Sequence, residues 1–368
     1  METAAAKGSK SKRTDELPRL SVIVPCRNEE RFIAQCLGSI LRNNYPMDRL
    51  EILVVDGMST DATWSIVGKY ARQYAFVKRL RNGKRITPTG LNLGIESAAG
   101  EIICRVDAHA RIAPDYLRRC VERLRNGDTD NVGGAMRTLP SHSSLTPRSI
   151  ALCMSHKFGA GNSVFRTGSE KATYTDTVFG GCYRKETFAR IGVFNERLPR
   201  SQDIEFNQRL RKSGGKILYD PAIQCDYFAS PDLRSFLKHN FRDGVWSVLP
   251  FAFSRIMPVR WRHLVPLVFV ATVVALAVLG CWFSPYWLLF ILEMAIYFAV
   301  SVAFSIQVSW RQRNASFLFT MPLVFGARHF AYGLGSVCGA IQLLGNCSLF
   351  RALFRLVGFR RSEAAPTV

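Results

Sequence analysis

Three short apolar runs constrain this chain more than any other feature: Leu20 to Pro25, Glu51 to Val55, and Glu101 to Val106. Each breaks off on a proline or runs straight into a carboxylate. Between them lie stretches with helix spacing. After Glu29, apolar residues recur at 32, 33, 36, 37, 40 and 41, and a second helix is expected to run to about Gln73 behind Asp56-Gly57-Met58-Ser59-Thr60, with Ser59 or Thr60 as its cap. Phe76 to Leu80 and then Thr87 to Ala98 make a third strand and helix. Strands alternating with helices predict an α/β fold with a mostly parallel, doubly wound sheet. Such sheets bind ligands beyond the carboxyl ends of their strands, where Asp56 and Asp107 fall. Because side chains alternate along a strand, Asp107 and His109 are expected to point the same way and to be able to share one divalent cation, which could grip a diphosphate. The plain alternative is a polar turn after a strand.

Charge and hydropathy say what else the chain contains. Lys and Arg number 49 against 28 Asp and Glu, a net +21, and the apolar residues concentrate after residue 263. With no nucleic-acid-binding motif and no regular basic stripe, this balance suits an anionic membrane face better than nucleic acid. Leu264 to Phe283 and Tyr286 to Val308 are each long enough to cross a bilayer, and the basic residues flanking them put both flanks in the cytosol. A third apolar stretch, Phe317 to Leu344, is interrupted by Arg328-His329 and reads as a third span or a re-entrant segment. Residues 232–262 alternate greasy and basic side chains, the pattern of a segment lying flat on a leaflet. Residues 1–19 read as a disordered basic tail without a signal-peptide core, and 348–368 as a second basic tail. Ten cysteines without a C-x-x-C pair point to a reducing compartment and no structural zinc. Neither G-x-G-x-x-G after the first strand nor a P-loop is present, so the carboxylates at strand ends must carry any nucleotide site.

Five motifs occur in order: Val24-Pro25-Cys26-Arg27-Asn28-Glu29-Glu30; Val55-Asp56-Gly57-Met58-Ser59-Thr60-Asp61; Asn82-Gly83-Lys84 with Gly90-Leu91-Asn92-Leu93-Gly94; Val106-Asp107-Ala108-His109; and Gln202-Asp203 with Arg209-Leu210 and Gly214. Together they resemble the motifs of family-2 glycosyltransferases with the GT-A fold, most of all the succinoglycan-biosynthesis (ExoA-type) bacterial enzymes, over roughly residues 20–225, and the catalytic domain is expected to span 20–231. The resemblance implies a nucleotide-sugar donor site with Asp56 beside the base, Pro25, Arg27 and Glu29 walling it, Lys84 near the donor, and Asp107 at the ribose and diphosphate. It also implies a divalent metal, Mn2+ or Mg2+, on Asp107 and His109. His109 stands where the family commonly has the second Asp of D-x-D, which favours manganese-like ions over magnesium and leaves a hydrogen-bonding role open.

The same resemblance puts the small-residue turn Gly180-Gly181 under the transferred sugar and the catalytic base at Asp203, in the first turn of a helix opened by Arg200-Ser201-Gln202. A hydroxyl acceptor needs a carboxylate to take its proton, so Asp203 as base fits the chemistry; Glu205 is its rival, and helix capping is the structural alternative. Gln202 replaces the acid usual in the family. Arg242 and Trp246 are assigned to the acceptor side; they are similar to the Q-x-x-R-W signature of processive synthases, but the spacing and the Gln are absent. The expectation is a multi-pass bacterial inner-membrane enzyme with a cytoplasmic catalytic domain. It would move a sugar, by resemblance glucose from UDP-glucose, onto a lipid-diphosphate-linked saccharide in exopolysaccharide assembly. A nucleotide-sugar-binding partner without activity and a processive synthase are the alternatives.

Overall fold

The structure, a computed structural model, describes residues 16–254 and 259–344. Most of both expected tails, and Arg255 in the interfacial stretch, lie outside the described residues. The first half of the domain follows the sequence pattern. Strand β1 (Leu20–Cys26), helix α1 (Ile33–Leu41), β2 (Leu50–Asp56), α2 (Thr63–Gln73), β3 (Val77–Arg81), α3 (Thr87–Ser97) and β4 (Ile102–Arg105) alternate. Their strands pair in parallel in the order β3-β2-β1-β4. Both faces of this sheet are covered, which is why the strands read as nearly continuous apolar runs. Val22, Val24, Ile52 and Val54 pack on one face with α1, while Ile23, Leu53, Val55 and Ile103 pack on the other with Leu91 and Ile95 of α3. Each such buried side chain contributes about 1.5–3 kcal/mol relative to exposure.

Beyond β4 the sheet is mixed. The chain continues through β5 (Ala110–Ile112), α4 (Tyr116–Asn126), β6 (Asn131–Leu139), α5 (Leu145–Ser155), α6 (Lys157–Ala160), α7 (Val164–Thr167) and β7 (Thr173–Tyr174). It then forms β8 (Cys182–Arg184), α8 (Lys185–Ile191), α9 (Gln202–Lys212) and β9 (Ile217–Phe228). Strand β8 inserts antiparallel between β4 and β6, β9 runs parallel to β6, and β5 closes the far edge antiparallel to β9. The expected parallel sheet is therefore its first four strands, and the remainder turns back on itself.

Four long helices follow: α10 (Leu233–Val248), α11 (Val265–Gly280), α12 (Pro285–Gln312) and α13 (Ser316–Leu344). Among the described residues two helices, Trp261–Gly280 and Pro285–Gln312, are long and apolar enough to cross a membrane, and most of their surface is left uncovered by the protein. Helix α13 packs along α10 and also meets α11, α12 and α5. Its Arg328 reaches the Gly159 carbonyl and donates to Asn240 Oδ1 at 2.7 Å, and His329 bonds the Tyr297 hydroxyl and the Phe158 carbonyl, each at 2.9 Å. The polar interruption in the third apolar stretch thus ties α13 to α6, α10 and α12.

On α10, Phe236, Val245, Trp246 and Val248 are buried against protein, and the strip left exposed is Leu233, Arg234, Leu237 and Lys238.

Candidate functional site

A cleft of about 220 Å³ opens at the carboxyl ends of β1, β2 and β4, lined among others by Pro25, Arg27, Glu29, Arg85, Arg105, Asp107 and His109. Strand β4 stops at Arg105, one residue short of the end of the apolar run, and Asp107 begins a turn in which its carbonyl accepts from the Ala110 N–H at 2.8 Å. The two side chains are thus brought to the same cleft by a turn, not by strand alternation. The loop carrying Glu29 is pinned to the loop after β2: Asn28 N–H donates to Ser59 Oγ at 2.9 Å, Glu29 N–H to Thr63 Oγ1 at 2.8 Å, and Asn28 Oδ1 accepts from Thr60 N–H at 2.8 Å. Asn28 adopts a left-handed φ of 56°, which a short Asn side chain tolerates.

Glu29 Oε1 lies 3.0 Å from His109 Nδ1. Burial pushes the His109 pKa down, but the bond and charge of Glu29 outweigh it and the net shift is upward. With Nδ1 held by a carboxylate, Nε2 is the nitrogen left to meet a cation, the arrangement usual for metal-binding histidines. Asp107 is partly buried, which raises its pKa, yet the Arg105 guanidinium at 2.8 Å and the nearby His109 hold it below the usual carboxylate range. It is ionised and ready to ligate.

Arg105 lines the cleft and feels the charges of both Asp107 and Asp203. Its side chain is almost buried, it bonds Asp107, and burial pressing its pKa down is outweighed by Asp107 and then Asp203, so it stays charged. Its backbone is clamped by the glycine turn: Arg105 N–H donates to the Gly181 carbonyl at 2.9 Å, and a Cβ on Gly180 would stand 2.6 Å from the Arg105 carbonyl. Gly180 and Gly181 have φ of 68° and 97°, so only glycine fits this approach without strain. Sequence reasoning gave Arg105 no role. A charged residue inside an apolar strand, two before Asp107, was the available signal.

Asp203 stands in the first turn of α9, and its Oδ1 accepts from Ile204 N–H at 2.9 Å. Glu205, the expected rival of Asp203, is buried and held by Arg209 through two bonds of 3.0 and 3.1 Å. Gln202 is buried with its Oε1 unbonded.

The family model described as Glycosyl transferase family 2 matches residues 21–185, the span that holds this cleft. Residues 21–185 are a family-2 glycosyltransferase domain. The chain is 27% identical over 278 residues to the succinoglycan biosynthesis protein ExoA of Rhizobium meliloti, covering 69% of this chain and 83% of that protein. It is 28% identical over 233 residues to a dolichyl N-acetyl-alpha-D-glucosaminyl phosphate 3-beta-D-2,3-diacetamido-2,3-dideoxy-beta-D-glucuronosyltransferase of Methanococcus voltae, covering 61% of this chain and 71% of that protein. Among solved structures, the fold is similar to that of the mannosyltransferase PcManGT from Pyrobaculum calidifontis, which was solved with GDP-Man and Mn2+. The TM-score is 0.59 at 22% identity, over 89% of this chain and 88% of that one. The fold is GT-A.

Within this glycosyltransferase domain, two expected donor residues sit apart from the cleft lining. Lys84 points to Glu196, with Nζ 2.7 Å from Oε2, and is largely exposed; the left-handed Arg85 that follows it (φ 61°) lines the cleft in its place. Asp56 is wholly buried, held by Arg81 at 2.7 Å and by the Ser59 amide and hydroxyl, with Arg81 stacked 3.7 Å from the Trp64 ring. Its neighbours Val55 and Gly57 line the cleft. Asp56→Asn is expected to cost about 1–3 kcal/mol of stability, because it strips the partner from Arg81. A lower unfolding temperature checks this, and an unchanged one would show that the pair contributes nothing.

Of the two residues assigned to the acceptor side on α10, Trp246 is buried with Leu198, Val245 and Cys338, and its carbonyl accepts from Ser201 Oγ at 2.8 Å. It supports the turn before Asp203. Arg242, next to Asp243, is half-buried.

Proposed function

We propose that this glycosyltransferase transfers one sugar, with inversion, from a nucleotide-sugar donor to a saccharide carried on a lipid diphosphate, at the cytosolic face of a bacterial inner membrane in exopolysaccharide assembly. UDP-glucose is the donor favoured by the resemblance. The observation that carries the reading is Arg105, whose little-exposed guanidinium bonds Asp107 at 2.8 Å and feels the charge of Asp203 as well. On this reading Asp107 supplies a diphosphate-binding end and Asp203 a proton-accepting end of a single site. Two apolar helices beside the domain and the lipid-linked sugar named for the Methanococcus relative support the acceptor and its membrane setting.

Asp107 and His109 fit a divalent cation that the donor's own phosphates complete, since such ions commonly take one or two protein ligands plus substrate oxygens. Among the described residues no cluster of three or more His, Cys, Asp or Glu forms a protein-only cage. When bound, the cation supplies charge to the departing nucleoside diphosphate. Arg27 and Arg85 add positive charge along the cleft, Glu29 holds the His109 ring, and the Gly180-Gly181 turn leaves room for the sugar. Asp203 takes the proton of the acceptor hydroxyl as its oxygen bonds the anomeric carbon, and the bond to the donor phosphate breaks with its electron pair on the diphosphate.

The test is turnover of a panel of nucleotide sugars with Mn2+ in membranes supplied with a lipid extract shown to contain acceptor. Transfer of a single sugar to lipid is the expected result, and polymer or no transfer from any donor would overturn it. In the same assay His109→Ala should raise the Mn2+ concentration needed for half-maximal rate about 10–100-fold. An unaltered metal requirement would remove His109 from the cation's ligands.

A further inference from the structure

Two arginines without a directly bonded carboxylate stand where the catalytic domain meets α13. Arg166, on the short helix α7, has its Nη1 shielded from solvent with no hydrogen-bond partner. Arg328, on α13, donates only to neutral oxygens, the Gly159 carbonyl and Asn240 Oδ1. Among the described residues neither has a carboxylate within ion-pair distance. The nearby carboxylate, Asp243, is already held by Arg200 at 2.6 Å and His239 at 3.1 Å. Burial presses the Arg166 pKa down to about 10, and the like charge of Arg328 adds to that. Buried charge of one sign is costly unless an opposite charge completes it, and paired guanidinium groups suit phosphate oxygens in particular.

The position relative to the donor cleft is informative. The Arg166 guanidinium lies 5.7 Å from the Tyr227 ring centre, and the His109 ring meets the same Tyr227 ring edge-on at 5.1 Å. The single Tyr227 ring thus stands between the Arg166 guanidinium and the His109 ring of the cleft.

We propose that Arg166 and Arg328 form a second anion site that binds the diphosphate of the lipid-linked acceptor. The inference rests on the transfer reading above and adds the residues that hold the acceptor's charged group. Anchoring that group between a catalytic-domain helix and a membrane helix fixes the saccharide end toward Asp203 while the lipid tail stays beside α13.

The experiment uses the full chain in phosphatidylcholine nanodiscs, with UDP and Mn2+ saturating the donor cleft, and follows the unfolding temperature. Three additions are compared: a polyprenyl diphosphate in the disc, phosphatidylglycerol in the disc, and inorganic pyrophosphate in solution. Binding to the folded state raises the unfolding temperature by mass action. The expected result is a rise with polyprenyl diphosphate that Arg166→Gln abolishes and Arg166→Lys partly restores. Arg328→Gln should abolish it too.

The shift caused by UDP and Mn2+ alone should persist in each variant, which shows that the variants fold and keeps failure here separate from failure of the donor reading. A rise with polyprenyl diphosphate that is indifferent to Arg166→Gln overturns the proposal. So does an equal rise with phosphatidylglycerol, which would mean a bulk-lipid headgroup site. A rise with pyrophosphate that the lipid diphosphate does not reproduce overturns it as well, assigning the arginines to free phosphate.

Discussion

Asp203→Asn should lower the rate of sugar transfer about 10²–10⁴-fold, the range that loss of a positioned general base commonly costs, while the donor KM stays close to that of the unaltered enzyme. The amide keeps the size of the carboxylate and can still accept from Ile204 N–H, the one hydrogen bond described for this side chain, so the α9 terminus should hold its shape. What the amide cannot do is take the acceptor's proton. Glu205→Gln provides the contrast. Glu205 is buried and doubly bonded to Arg209, so its replacement should lower the unfolding temperature more than it lowers the rate of the folded fraction. The pair is measured as kcat and donor KM beside thermal unfolding. If both variants lose rate equally per folded molecule, Asp203 has no special role. If the unaltered chain turns over no donor even with acceptor present, a nucleotide-sugar-binding partner without activity becomes the better account, and the departures at His109 and Gln202 would be its origin.

The half of this site that was legible in the sequence is the half built by local rules. Strands buried on both faces write themselves as apolar runs, and their ends are where Pro25, Arg27, Glu29 and Asp107 gather. The cleft lining therefore follows from β1 and β4 with little help from tertiary structure. The turn after β4 already departs from that logic. His109 reaches the cleft because Ala110 closes a turn on Asp107, an outcome that no alternation pattern encodes.

What the sequence hid is which charges pair. Arg209, one turn along the same helix, holds Glu205, and Arg81, from the next strand, bonds Asp56. The insertion of β8 beside β4 puts Gly181 on Arg105, a contact between residues far apart in the chain that no local pattern announces. The amphipathic look of 232–262 has the same cause: an apolar stripe shows that α10 must bury a face and leaves open whether lipid or α13 covers it.

Gly244→Leu should decouple α10 and α13 from the turn that carries Asp203, lowering transfer at least tenfold with the donor KM little changed if Asp203 is the base proposed above. A Cβ on Gly244 would stand 1.9 Å from the Tyr332 carbonyl, and one on Gly335 would stand 2.0 Å from the Phe241 carbonyl, so α10 and α13 touch backbone to backbone. Gly335 and Gly339 form a G-x-x-x-G spacing on α13, and Ser247 and Ser336 hydroxyls meet between the helices at 3.1 Å. A leucine there cannot be absorbed by a rotamer change, because the obstacle is main chain, and the helices must part by ångströms. The displacement has a short route to the base. Asp243 on α10 holds Arg200 at 2.6 Å, and the Trp246 carbonyl takes the Ser201 hydroxyl at 2.8 Å, which fixes the two residues immediately before Gln202 and Asp203. Ser201 itself sits in a left-handed φ of 59°, a conformation that persists only while its surroundings hold it. The donor cleft lies on β1, β2 and β4, whose packing does not involve α10, so nucleotide-induced stabilisation should survive the substitution. A lowered unfolding temperature with undiminished transfer by the folded protein would show that α10 supports the fold alone. Loss of transfer with donor binding intact is what a base positioned from the membrane side requires.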